Sequence, residues 1–143
     1  MKKGQSEIIY LVIAIGIAFV IAVGVFSFSK SFQASLNEQI ANAGLERTSA
    51  QLEAGFLKLK EIVDTTNEQD ISIKLPISEK IGEQQYMISG IGNNTLELRT
   101  VGNPSVLKFL TIKSWSVSVF GFVDSQQGFV ELELLNATSV RLK

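Results

Sequence analysis

The 143-residue sequence contains no cysteine and no histidine, and its formal net charge is −1. The absence of cysteine excludes disulfide bonds and thiolate chemistry. The absence of histidine removes the commonest general base and the commonest metal ligand. The near-neutral charge offers no basic face of the kind that binds nucleic acid. We therefore expect a chain that is not an enzyme and has no catalytic residue, no metal and no cofactor.

The chain does have a long uncharged stretch near its amino terminus, from Ile8 to Ser29. At about 1.5 Å per residue, a helix over this stretch can cross a hydrocarbon core of about 30 Å. A secretory signal peptide has a shorter apolar region, of roughly 7–15 residues, followed by a small-residue cleavage site. Here the only plausible cleavage site precedes the apolar stretch, so we expect the helix to remain in the mature protein. Lys2 and Lys3 predict a cytoplasmic amino terminus and an external remainder.

The helix is expected to continue beyond this stretch, because residues 30–64 contain no proline and many good helix formers. Their apolar residues fall three or four positions apart, as on one face of a helix. These residues are Phe32, Leu36, Ile40, Leu52, Phe56, Leu59 and Val63. We expect a bend or a change of register at Asn42–Ser49, where the stripe is interrupted. A helix from Ser6 to Val63 would be about 90 Å long and would need partners along its length.

The pattern changes from helical to alternating after the polar stretch 64–70. Short alternations of apolar and polar residues recur over 71–142, separated by turns at 92–94, 102–104 and 124–128. They predict about six to eight strands in a small antiparallel sandwich or barrel. The fold class is therefore α+β, with a helix over 5–64 and a β-rich headgroup over 70–143. So small a headgroup is marginal alone, and we expect it to pack against the amphipathic helix or neighbouring subunits.

Two sets of headgroup side chains can each be interpreted either structurally or functionally. The aromatic residues are expected in the core, with an exposed patch for neighbouring subunits as the alternative. They are Phe109, Trp115, Phe120, Phe122 and Phe129. Glu131 and Glu133 lie two apart on one strand face, where they form either a solvated surface or a cation-binding pair. We favour the solvated surface.

The amino-terminal residues also match a family pattern. Lys2-Lys3-Gly4-Gln5-Ser6-Glu7, followed directly by the apolar helix, resembles the archaeal type IV pilins that carry a class III signal peptide. The resemblance implies a leader, 1–4, that a prepilin peptidase removes by cutting between Gly4 and Gln5. The mature chain, 5–143, would leave the membrane and polymerise with its own copies into a cell-surface filament. An assembly ATPase and a membrane platform would be further partners.

In this family a glutamate near the mature amino terminus sets the axial register or serves peptidase recognition. Glu7 is the candidate here, although it would be the third mature residue and the family usually places its glutamate fifth. The alternative is that Glu7 caps the positive end of the helix dipole. A further complication is that an amino-terminal glutamine can cyclise and lose its charge.

Small residues within the apolar stretch suggest helix–helix packing. Gly16, Ala18, Ala22 and Gly24 would allow neighbouring helices to approach closely. The alternative is a plain membrane anchor, for which such packing is not needed.

Two Asn-X-Thr sequons are candidate N-glycosylation sites, one at Asn93 and one at Asn136. Asn103 is excluded because Pro104 follows it. Asn93 and Asn94 also suit a hairpin turn with positive φ, and the turn and the glycan are compatible.

A structural filament subunit is the function that the sequence favours. The first alternative is an accessory protein of the archaeal motility filament, with a β-sandwich that binds the surface layer. The second is a simple membrane-anchored extracellular binding module or, less favoured without histidine and cysteine, a displayed enzyme.

Overall fold

The computed structural model describes residues 8–66, 71–102 and 105–143. A single long helix, α1, is assigned to Lys2–Thr66, and eight strands follow it in the described residues. The strands are β1 (Ser72–Pro76), β2 (Gln85–Gly90), β3 (Thr95–Val101), β4 (Leu107–Thr111), β5 (Ser118–Phe120), β6 (Phe122–Asp124), β7 (Phe129–Asn136) and β8 (Ser139–Leu142). The α+β fold class, with one long amino-terminal helix before a β-rich headgroup, is confirmed.

The chain divides into two compact units, Met1–Leu36 and Asn37–Lys143. The first unit contains the amino-terminal part of α1. The second combines the carboxyl-terminal part of α1 with all the described strands.

The strands of the second unit form two four-stranded sheets. The strand order is β1-β7-β8-β5 in one sheet and β4-β3-β2-β6 in the other. Every pair is antiparallel except β5 with β8, which the sequence analysis did not anticipate. Because the pairing in the described residues leaves two sheets, the headgroup is a sandwich rather than a closed barrel.

Gly121 lets the chain pass from one sheet to the other. It lies between β5 and β6 with a φ of 96°, which side chains rarely tolerate, and a Cβ there would lie 2.5 Å from the Leu142 carbonyl oxygen. The residues on either side of Gly121 therefore form two short strands, β5 and β6, in different sheets. In the sheet of β6, strand β4 ends at Thr111, and Ile112 N–H then donates to Asn94 O at 2.7 Å, in line with the β3–β4 pairing.

The core of the second unit lies between the sheets and α1. Alternate strand residues such as Ile88, Leu98 and Leu132 are buried, together with helix residues that share one face. The helix residues are Ala41, Leu45, Leu52, Phe56 and Leu59. The headgroup was expected to pack against the amphipathic helix or against neighbouring subunits, and in the structure it packs against the helix of the same chain.

Close helix packing depends on two glycines. A Cβ on Gly44 would overlap the side chain of Ile81, and a Cβ on Gly55 would overlap that of Leu75. The helix therefore approaches β1 and the loop before β2 more closely than any larger residue permits.

The helix runs without interruption through Asn42–Ser49. Thr48 and Ser49 are buried there, and their hydroxyls donate to the carbonyls of Gly44 and Leu45 at 3.1 and 2.8 Å. The apolar residues do change face: the buried series starts at Ala41, whereas Phe32, Leu36 and Ile40 are exposed.

The expected turn at 124–128 is a one-turn 3-10 helix, Ser125–Gln127, capped by the Asp124 carboxylate, which accepts from Gln126 N–H at 2.9 Å. Of the expected turn at 102–104, residues 103 and 104 lie outside the described residues.

Candidate functional site: an exposed apolar helix segment

The candidate site is the part of α1 over residues 8–29, here called the apolar segment. Each of its residues is exposed, and the large apolar side chains range from 49% exposure at Val23 to 74% at Phe28. By length and composition this helix could cross a membrane or act as a signal sequence. So much exposed apolar surface is unfavourable in water, and the segment therefore requires lipid or another protein around it.

The four small residues predicted to pack helices are all exposed within this segment. At about 100° per residue, Gly16 and Gly24 fall on one side of the helix and Ala18 and Ala22 on roughly the opposite side. A Cβ on Gly16 or Gly24 would meet nothing within 4 Å. Nothing within the described chain thus requires glycine at either position, in contrast with Gly44 and Gly55.

Exposed apolar residues continue past the apolar segment at intervals of four. Phe28, Phe32, Leu36 and Ile40 have exposures of 74%, 55%, 41% and 49%. The rings of Phe28 and Phe32 stack with centroids 6.3 Å apart. Lys30, which lies between them in the sequence, places its Nζ 4.7 Å from the centre of the Phe26 ring. The helix surface outside a membrane-length segment is therefore also partly apolar.

The residues predicted to direct processing are Gly4, Gln5 and Glu7. All three lie outside the described residues, as does the predicted leader, 1–4. The cleavage site and the role of Glu7 remain predictions.

The two predicted sequons are found in turns of the headgroup. Asn93 and Asn94 adopt positive φ values of 36° and 53°, which confirms the predicted left-handed turn. Asn136 ends β7, and its Oδ1 accepts hydrogen bonds from the N–H and the hydroxyl of Thr138 at 3.0 and 3.1 Å. Asn93 and Asn136 are both exposed.

The paired glutamates form a charged ladder on the outer face of the first sheet. Lys74 lies 3.9 Å from Glu131, and Lys143 donates to Glu133 at 2.8 Å, with Arg141 3.7 Å away. The hydrogen bond from Lys143, with the charges of Lys143 and Arg141, lowers the pKa of Glu133 despite some desolvation. A basic side chain thus lies beside each of the two carboxylates. In the part of the chain that the structure describes, no group of three or more acidic residues could hold a metal.

The prediction that the aromatic residues form the headgroup core was wrong. Phe109, Phe120, Phe122 and Phe129 have exposures of 56%, 49%, 69% and 38%, and only Trp115 packs against the core. Their strands alternate, and these phenylalanines occupy outward positions beside polar neighbours. Phe109 lies opposite Glu97, and Phe122 lies opposite Ser89.

For Phe129, the alternation of residues along β7 was enough to predict an outward position. In β7, the inward residues are Val130, Leu132 and Leu134. The same alternation assigns Phe129 to the outward face with Glu131 and Glu133. The interior is instead filled mainly by aliphatic side chains, with Tyr86 and Phe56 as its largest members.

This chain was compared with protein families, curated proteins and solved structures. No family model, no curated protein and no solved structure matches this chain.

Proposed function

We propose that this chain is the structural subunit of an extracellular filament of the archaeal type IV pilin kind. In this proposal it is cleaved after Gly4, polymerises through the apolar segment and displays its β-sandwich outside. It undergoes processing and assembly and catalyses no reaction. Its partners are other copies of itself, the prepilin peptidase, the assembly ATPase and the membrane platform.

One observation carries the proposal: every residue of the apolar segment is exposed, and it contains glycines that no contact within the described residues requires. Gly16 and Gly24 lower helix propensity by about 1 kcal/mol each relative to alanine, and nothing within 4 Å of either position compensates. Small residues let helices from different chains approach closely. Glycine at both positions is thus better explained by helix packing between chains than by anchoring in lipid alone.

The residues beyond the apolar segment also favour assembly over a plain anchor. Phe32 and Leu36 extend the apolar surface of the first unit past the length that a bilayer can cover. In a monomer anchored by 8–29, part of this surface would face water. In a bundle of copies it would be covered by neighbouring helices.

The proposed mechanism follows from the charges that precede the apolar segment. Lys2 and Lys3 hold the precursor at the cytoplasmic face of the membrane, and cleavage after Gly4 removes both. The uncharged apolar segment is then free to move from lipid into a helix bundle. Because apolar packing supplies the subunit contacts, we expect filaments to resist high salt and chelators.

An accessory protein of the archaeal motility filament is the second candidate, since a helix followed by a two-sheet sandwich also suits that role. Abundance separates the two functions. A filament subunit is present in many copies in sheared material, whereas an accessory protein is present in few.

The test is the intact mass and amino-terminal peptide map of material sheared from the source cells. The proposal expects abundant protein that begins at Gln5, cyclised or not. A terminus at Met1 or Lys2, found only in membranes, would instead indicate an anchored binding module.

Two leucine substitutions provide a matched pair for this test. Gly4→Leu places a bulky residue at the cut and should leave leader-bearing protein in the membrane without filaments. Gly16→Leu should be cleaved normally, because it lies far from the cut. Normal filaments from Gly4→Leu would contradict the proposed cleavage site.

A further inference from the structure

The two sequons, far apart in the sequence, are neighbours in the headgroup. Both flank the short segment Val117–Ser118. Asn94 N–H donates to Val117 O at 2.7 Å, and Ser118 N–H donates to Thr138 O at 2.8 Å. Asn93 and Thr138 also line one groove of about 300 Å³.

In the first sequon the two adjacent asparagines have different surroundings. Asn94 holds the turn: its Nδ2 donates to Ile112 O at 3.0 Å, and its own carbonyl accepts from Ile112 N–H. Asn93 is exposed, and its side chain makes no hydrogen bond within the described residues. The Thr95 hydroxyl donates to the Asn93 main-chain carbonyl at 3.1 Å. The acceptor amide of this sequon is therefore accessible and is not needed to hold the turn together.

In the second sequon, hydrogen bonds to Oδ1 fix the side chain of Asn136, while its Nδ2 has no hydrogen-bond partner in the described residues. Its Oδ1 accepts both bonds from Thr138, and Nδ2 makes none in the described part of the chain. Residues 135–138 are all exposed, so an enzyme can reach this turn in the folded headgroup.

An exposed aliphatic side chain accompanies each acceptor. Ile91, two residues before Asn93, is 52% exposed, and Leu135, next to Asn136, is 41% exposed. A bulky sugar attached to the adjacent asparagine would lie next to this side chain.

We propose that Asn93 and Asn136 are both N-glycosylated and carry adjacent oligosaccharides along the rim of this groove. The donor is a lipid-phosphate-linked oligosaccharide. The asparagine Nδ2 forms a bond to C1 of the first sugar, the bond from C1 to the phosphate oxygen breaks, Nδ2 loses one proton, and the lipid phosphate leaves. The reaction requires the headgroup to lie outside the cytoplasm but does not require the chain to polymerise.

The experiment uses the full-length chain expressed in its source cells, with substitutions at the threonine of each sequon. Thr95→Ala and Thr138→Ala remove a sequon, whereas Thr95→Ser and Thr138→Ser retain it together with the hydroxyl that bonds in the turn. Intact mass and glycopeptide mapping are then measured on both membrane and sheared fractions. These readouts report modification directly, independently of filament yield.

The expected result is a wild-type mass that exceeds the mass of the processed chain by two oligosaccharides, located at Asn93 and Asn136. Each alanine variant should lose one oligosaccharide mass, and each serine variant should keep both. Unmodified asparagine at either position in wild-type protein would overturn the proposal of a pair.

The outcome is separable from that of the proposed function. A Gln5 terminus in abundant filaments without sugar would overturn only the glycosylation. Two oligosaccharides on a chain that keeps Met1 and remains in the membrane would overturn only the filament.

Discussion

At the residue scale, the glycines of the described helix have two kinds of surroundings. Gly44 and Gly55 lie where a Cβ would overlap Ile81 or Leu75, so packing within the chain excludes a larger residue. Gly16 and Gly24 have open space around them. The same residue type therefore serves internal packing in one part of α1 and, in our proposal, packing between chains in the other.

Replacing Gly55 with valine should destabilise the headgroup by about 1–3 kcal/mol, because the new side chain must displace Leu75. Ala54→Val is the matched control, since Ala54 is exposed and loses only about 0.5 kcal/mol of helix propensity. Denaturant unfolding of the full chain in detergent, followed by Trp115 fluorescence, measures both. Equal effects of the two substitutions would contradict the close approach of α1 to β1.

Glu133 should contribute to acid sensitivity. Because the hydrogen bond from Lys143 lowers its pKa, the stabilisation is present above the pKa of the unfolded state and is lost as pH falls through the folded pKa. Glu133→Gln should therefore flatten the loss of stability on the acid side. Lys143→Gln should have a similar effect because it removes the donor. An unchanged acid limb in both variants, measured by unfolding at stepped pH, would contradict this account.

At the element scale, strand alternation decides which side chains form the core. The pairings Glu97↔Phe109 and Ser89↔Phe122 place large rings beside polar residues on the outer face of the second sheet. Glu97 and Arg99 form an ion pair at 3.0 Å on β3 of that sheet. Aromatic size alone was therefore a poor predictor of burial here, and the phase of the alternation was a better one.

Two adjacent residues of β6 provide a test of this assignment. Val123 is fully buried, so Val123→Ala should cost at least about 1 kcal/mol, whereas Phe122→Ala should change the unfolding free energy by about 0.5 kcal/mol or less. Denaturant midpoints of the two variants, compared with wild type, measure the difference. If Phe122→Ala lowered the unfolding free energy more than Val123→Ala does, the outward assignment of Phe122 would be wrong.

At the scale of the whole molecule, the two units differ in how their apolar surface is satisfied. In Asn37–Lys143, helix and sheets bury one another, and the helix residues Leu52, Phe56 and Leu59 have no exposure. In Met1–Leu36, every described residue is exposed. Packing within the chain thus buries the apolar surface of the second unit. The apolar surface of the first unit must be covered by lipid or by other chains.

Ala18→Trp and Ala22→Trp should block filament assembly without preventing membrane insertion, because tryptophan fills the space that a neighbouring helix needs. A loss of about 1.4 kcal/mol in the contact between two helices lowers their association constant tenfold. Filament yield should therefore fall about tenfold or more. Phe19→Trp is the control, since that position already carries a large exposed ring. Ordinary filament yield from the alanine variants, counted by electron microscopy, would show that these residues do not lie at a tight interface.

Local patterns were sufficient for a large part of this structure. The uncharged stretch 8–29, the good helix formers that follow it, the change to alternation after residue 70 and the Asn93–Asn94 turn all depend on residues within a few positions of one another. Backbone preference and periodicity act over that range, and they predicted the long helix and the strand-rich headgroup. The packing role of Gly16, Ala18, Ala22 and Gly24 was proposed from the same kind of local pattern and stays a prediction.

Other features arise only when distant residues meet. The parallel pairing of β5 with β8, the switch of sheets at Gly121 and the proximity of the two sequons join positions well separated in the sequence. The outward placement of Phe109 and Phe122 likewise depends on which face of the second sheet packs into the core. Spacing along a chain does not encode these arrangements, because each depends on contacts and on burial between segments that are far apart in the sequence.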